Sequence, residues 1–136
     1  MTTRIRQVVA LLLAASAAYV GGWASIAPSS FFRSFPGLGM HWTAVDGPYN
    51  QHLVRDVGGL YLSLLVISVC AALSTPHMRR IAGAAWAVFS VLHFVYHLRH
   101  LDAVSTTSAW LESISLGLTL AAALLLMLPE HESASA

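Results

Sequence analysis

Four long apolar runs dominate this chain, and none of them contains Asp, Glu, Lys or Arg. The hydrocarbon core of a bilayer is about 30 Å thick and takes roughly 17 to 25 helical residues to cross, so each run is long enough. Backbone groups in lipid must satisfy their own hydrogen bonds, and strand-like alternation is absent, so helices are expected. The sequence therefore predicts an all-α fold, a four-helix transmembrane bundle. The runs cover residues 8–27, 57–73, 81–98 and 113–129.

The composition is that of a protein whose solvent is lipid. Only 10% of the residues are charged, whereas a soluble domain carries about 25%. The net charge of +1 is small, and no basic stripe or glycine-rich phosphate loop is present, which excludes nucleic acid as a partner. We therefore expect a multi-pass protein of the plasma membrane, surrounded by the lipid bilayer.

Polar residues at the ends of the runs set the helix bounds and the connections. A short inner loop joins the second and third helices, and one long outer loop joins the first and second. Asp46, near the end of the long loop, is a candidate N-cap of the second helix. These elements form a single domain, 1–129, and the polar tail 130–136 is expected to be disordered. The predicted helices cover about 8–27, 52–74, 81–100 and 110–129.

Arginine counts predict the orientation, because cytoplasmic loops carry an excess of positive residues. With the N-terminus inside, four arginines lie on the inner side and three on the outer side. Two of the outer three are close to an aspartate, whereas the inner four have no acidic neighbour. Both termini are therefore predicted to be cytoplasmic. The inner arginines are Arg4, Arg6, Arg79 and Arg80, and the outer ones are Arg33, Arg55 and Arg99.

Titratable side chains gather toward the outer ends of the predicted helices. On the third helix His93, His97 and His100 fall within about 60° of one another, on one stripe. Ionisable residues within membrane spans are expensive to bury and usually mark functional paths. The sequence thus predicts a polar layer at the outer leaflet. Its other members are His52, Arg55, Asp56, Tyr96, Arg99, Asp102 and Glu112.

Three kinds of chemistry fit this layer. His93 and His97 could bind zinc, iron or copper, with His52 as a further ligand and Asp56 as a ligand or an orienting group. Two histidines on facing helices could instead hold a haem. A proton relay could run through the histidines and through Tyr96, Asp56 and Glu112.

A structural interpretation of the layer stays open beside these. His100, Asp102 and Glu112 could be solvated groups at the membrane boundary, and Arg55 with Asp56 a structural ion pair. In the functional interpretation the remaining polar residues support the site or bind an anion. These supporting residues are Arg55, Tyr96, Arg99, His100, Asp102 and Glu112.

Two segments of the sequence carry a family resemblance. "DGPYNQHLVRDVGGLYLSL", followed later by "LHFVYHLRHLD", resembles the DoxX-like superfamily of small four-helix membrane proteins. The resemblance extends over most of residues 8–128. It implies a four-helix integral membrane bundle, in a superfamily some of whose members associate with membrane oxidoreductases. It supplies no catalytic residues.

Two functions follow from these observations. The first is an accessory or interaction subunit whose partner is another membrane protein or a second copy of the chain. The second is a metal- or haem-linked redox enzyme in the membrane, acting on a lipid or a quinone-like substrate. The first is favoured, because four helices are expected to leave little room for a substrate pocket.

Overall fold

Four long helices form the body of the protein. The computed structural model describes residues 2–129, so the predicted disordered tail, 130–136, lies outside the described residues. α1, α3, α4 and α5 are each long and apolar enough to cross a membrane, which confirms the all-α four-helix transmembrane bundle. The helices are α1 (Thr3–Ile26), α2 (Pro28–Ser34), α3 (Gln51–Leu73), α4 (Pro76–Leu98) and α5 (Thr106–Met127), with a 3₁₀ turn at Leu101–Ala103.

Side-chain caps explain where three of these helices begin. Asn50, and not Asp46, caps α3 by accepting the Leu53 backbone N–H at 3.2 Å. Thr75 caps α4 by accepting the Met78 backbone N–H at 3.4 Å. Pro76 occupies the first turn of α4, where its missing N–H would have had no partner within the helix. α4 therefore starts before residue 81. Ser105 caps α5 through the Ser108 N–H at 3.3 Å, ahead of residue 110.

The long loop after α1 has its own structure. α2 is followed by a small antiparallel hairpin of β1 (Pro36–Gly37) and β2 (Met40–His41). The hairpin turn contains Gly37, Leu38 and Gly39 at φ of 92°, 55° and 79°. Gly37 and Gly39 adopt their positive φ angles at no steric cost, because glycine has no Cβ atom. Aromatic rings join the segment to α1: Trp23 lies 5.9 Å from Phe31 between ring centroids.

Close glycine contacts hold the long helices in two antiparallel pairs, α1 with α3 and α4 with α5. A Cβ atom on Gly21 would lie 3.0 Å from the Gly58 carbonyl oxygen. A Cβ atom on Gly83 would lie 2.7 Å from the Ala123 carbonyl oxygen. Such approach is how membrane helices gain packing energy without a hydrophobic drive between them. α3 also contacts α4, and α1 contacts α5, which closes the bundle.

The bundle has two distinct ends. The end with the start of α1, the α3–α4 turn and the end of α5 is called the terminal end here. Arg6 and Arg79 are 1% and 2% exposed there. Arg6 donates to the Pro129 carbonyl at 2.9 Å, and Arg79 donates to the Ser74 carbonyl at 2.7 Å. The opposite end, with α2, the hairpin and the 3₁₀ turn, is called the loop end and carries the predicted polar layer.

Candidate functional site

A buried histidine–carboxylate pair lies at the loop end, between α4 and α5. The His97 Nδ1 atom lies 2.9 Å from the Glu112 Oε1 atom, and the two side chains are 14% and 5% exposed. His97 is in the last turn of α4 and Glu112 in the second turn of α5, so the antiparallel packing of these helices sets them side by side. The sequence placed Glu112 among the supporting groups. In the structure it is the direct partner of His97.

His93 lies one helical turn deeper than this pair. Its ring meets the His97 ring edge-on at a centroid distance of 4.5 Å, and it stacks on Phe89 at 5.0 Å. His93 and His97 therefore do share one face of α4, as their spacing indicates. His100 leaves that face, because the helix ends at Leu98. Its ring stacks on Tyr96 at 4.3 Å, and both side chains are exposed.

His52 and Asp56 do not join these histidines. They contact each other at 3.3 Å on α3 and are 88% and 60% exposed. At 100° per residue they lie on the far side of α3 from Val57 and Tyr61, which face the bundle interior. Within residues 2–129 no group of three or more His, Cys, Asp or Glu side chains could hold a metal ion. The predicted four-ligand set of His52, Asp56, His93 and His97 is thus not assembled.

The remaining predicted residues lie on the surface of the loop end. Asp56 pairs with His52 and not with Arg55. The described bundle therefore separates the polar layer into a buried part on α4 and α5 and an exposed part on α3, at the end of α4 and on the 3₁₀ turn. The exposed members are Arg55, Tyr96, Arg99, His100 and Asp102.

A partly open cavity of about 460 Å³ lies between the helices in the loop-end half of the bundle. All four long helices line it, and so do α2 and the loop that follows. From His97 to Trp86 it follows about 16 Å of α4. Trp86, which donates to the Ser68 hydroxyl at 2.7 Å, is at its inner limit. The expectation that four helices leave little room for a pocket is therefore wrong for this bundle, because the helices leave space between them in its loop-end half.

Most of the cavity wall is apolar, and the polar side chains that line it come from α1, α3, α4, α5 and the loop after α2. Ser90, His93 and His97 line it from α4 at positions i, i+3 and i+7, on one helical stripe. Ser90 is 4% exposed, and its hydroxyl has no hydrogen-bond partner among the described residues. The indole N–H of Trp42, across the cavity, has none either. Buried polar groups are normally paired, so these two are candidates to meet a ligand.

Asp46 is a site residue that sequence reasoning missed. It lines the cavity at the loop end and interacts electrostatically with Tyr96, His97 and Glu112. The sequence suggested a helix cap for it, because an aspartate before a helix often serves there. Only the fold of the loop brings this carboxylate over the buried pair. No local pattern could have found it.

Comparisons with protein-family models, curated proteins and solved structures gave no match to this chain. The resemblance to the DoxX-like superfamily therefore stays a prediction from the two quoted segments. The site has to be interpreted from its own chemistry.

Proposed function

We propose that this small integral membrane protein binds a hydrophobic molecule, of lipid-like or quinone-like character, inside its bundle. The apolar body of the ligand would occupy the cavity between the helices, and its polar head would meet His97 and Glu112 at the loop end. The cavity itself is the observation that carries this proposal. Its volume, about 460 Å³, falls within the roughly 300 to 1,000 Å³ that is typical of small-molecule sites.

The distribution of polar groups supports the same conclusion. Ligand sites are mainly apolar, with a few polar groups placed to orient the ligand. Here Ser90, His93 and His97 form a polar stripe on α4, and Glu112 and Asp46 add carboxylates at the loop end. A molecule lying along α4 would meet mainly apolar and aromatic side chains, with the ionisable groups at the loop end and the Ser90 hydroxyl deeper in the cavity. The metal-linked form of the function would need a group of three or more ligating side chains, which the described residues do not form.

A pair of tryptophan substitutions on α5 tests this function. Leu116 lines the cavity, whereas Leu118 is 66% exposed on the outside of the bundle. Protein purified in a mild detergent should carry a hydrophobic molecule that is seen by native mass spectrometry and recovered by organic extraction. Leu116→Trp should abolish this ligand by filling the cavity, and Leu118→Trp should retain it. Equal ligand content in both variants would contradict the proposal.

An accessory or interaction subunit is the second candidate function, and the exposed polar surface of α3 favours it. His52 and Asp56 contact each other without contacting the cavity, so they are available to a partner membrane protein or a second copy of the chain. Cross-linking in native membranes tests this candidate. A cross-linked species that His52→Ala/Asp56→Ala removes, and that Leu116→Trp leaves intact, would support a docking role separate from ligand binding.

A further inference from the structure

The charged and titratable side chains that line the cavity are two carboxylates and two histidines. Asp46, Glu112, His93 and His97 line it. The chain has no lysine, and its seven arginines all lie within the described residues. None of these arginines lines the cavity. A neutral His97 that donates to Glu112 leaves both carboxylates charged, and a protonated His97 neutralises only one of them. Either arrangement leaves the polar end of the cavity negative when its two carboxylates are ionised and His93 is neutral.

Aromatic rings also line the loop-end part of the cavity. Phe31 and Phe35 lie 4.7 Å apart between ring centroids, and Trp42 meets Phe35 edge-on at 6.1 Å. All three rings line the cavity at the loop end. Asp46, which lies in the same loop as Trp42, also lines it. The faces of aromatic rings attract cations within about 6 Å, and aromatic cages are a common way to bind quaternary ammonium groups.

A third observation points to a ligand independently of charge. Ser90 is buried and lines the cavity, and its hydroxyl has no hydrogen-bond partner among the described residues. Leaving such a group unpaired costs about 1 to 3 kcal/mol. A bound molecule that fills the cavity would either pair this hydroxyl or enclose it with water. The cavity therefore has the features of a binding site and not only of a packing defect.

From these three observations we infer that the ligand of the cavity is an amphipathic organic cation, a hydrophobic amine or quaternary ammonium compound. Its cationic head lies between Asp46 and the His97–Glu112 pair, among the aromatic rings of the loop end. Its apolar body extends toward Trp86. This inference rests on the proposed function and adds the charge of the ligand. An anionic head, such as a phosphate or a carboxylate, would meet two carboxylates and no arginine in the same place.

Two ions of the same shape and opposite charge test the inference. Tetraphenylphosphonium is a hydrophobic cation, and tetraphenylborate is an anion of nearly the same size. Equilibrium dialysis against purified protein in detergent, with protein-free micelles as the blank, measures the affinity for each. We expect saturable binding of the cation at one per bundle and no saturable binding of the anion. Equal affinities for the two ions, or no saturable binding of the cation, would overturn the inference.

Three matched carboxylate variants locate the binding. Asp46→Asn and Glu112→Gln keep the size and hydrogen-bonding capacity of each side chain and remove its charge. Each should weaken cation binding about tenfold, which corresponds to about 1.4 kcal/mol. Asp56→Asn removes an exposed carboxylate of the same end that does not line the cavity, and it should leave the affinity unchanged. Unchanged affinity in both cavity variants would also overturn the inference.

Failure of this inference can be told apart from failure of the proposed function. If the purified protein carries a neutral or anionic molecule that Leu116→Trp removes, the cavity binds ligands and only the charge assignment is wrong. If Leu116→Trp has no effect on bound molecules and the cation does not bind either, the proposed function fails together with the inference.

Discussion

The buried ionisable side chains at the two ends of this bundle have different partners. At the terminal end Arg6 and Arg79 donate to backbone carbonyls at the ends of α5 and α3, where a cation complements both the unpaired carbonyls and the helix dipole. At the loop end His97 and Glu112 are partnered with each other and face a cavity. The first arrangement closes the bundle, and the second leaves polar groups available to a ligand.

Packing follows the same division. Gly83 lets α4 approach the backbone of α5 at the terminal end. Toward the loop end the same two helices carry His97 and Glu112, whose side chains face the interior and occupy the space between them. At the loop end α1 and α3 stay in close contact through Gly21 and Gly58, so the cavity reflects the wider separation of the two helix pairs there. Substitutions at the two ends should therefore affect different properties.

The largest effect on stability is expected from Arg79→Met. Methionine retains much of the length of arginine but leaves the carbonyl oxygens of Ser74 and Ala71 without their donor. Because unpaired buried groups cost about 1 to 3 kcal/mol each, the free energy of unfolding should fall by about 3 kcal/mol. Denaturant unfolding in detergent measures this. Arg80→Met, which removes the neighbouring exposed arginine, is the control, and an equal loss in both variants would show that Arg79 is not a structural cap.

A smaller loss of stability is expected from Gly83→Ala. The added Cβ atom would lie 2.7 Å from the Ala123 carbonyl oxygen, so α4 and α5 must move apart. Overpacking of this kind costs about 1 to 3 kcal/mol. Gly59→Ala is the matched control, because a Cβ atom there meets nothing within 4 Å. Thermal unfolding should show a lower midpoint for Gly83→Ala alone. Similar midpoints for the two variants would contradict the close approach of α4 and α5.

The smallest effect is expected from the histidine–carboxylate pairs of the loop end, measured by double-mutant cycles. Removing His97 and Glu112 singly and together should give a coupling energy of about 1 to 2 kcal/mol, because the pair is buried and hydrogen-bonded. The same cycle on His52 and Asp56 should give about 0.3 to 0.5 kcal/mol, as for exposed i, i+4 pairs. Equal couplings would mean that burial does not distinguish the two pairs.

Some features of the candidate site could be predicted from sequence, and they are the ones that depend on a single helix. The spacing of His93 and His97 places them on one face of α4 whatever the rest of the chain does. The grouping of His52 and Asp56 with them was wrong, because it required a particular rotation of α3 about its own axis. Glu112 was recognised as a polar residue of the same layer, yet its pairing with His97 depended on how α5 packs against α4.

The sequence by itself determined the four spans, because the length of each apolar run and the need to satisfy the backbone in lipid leave helices as the solution. It also determined that the histidines and carboxylates of the predicted polar layer gather at one end of the bundle. Only the tertiary structure decided which of them face inward, that Asp46 lies over the buried pair and that a cavity exists between the helices. The physical reason is that lipid does not favour one rotation of an apolar helix over another. Rotation is set by contacts between helices, such as those at Gly21 and Gly83.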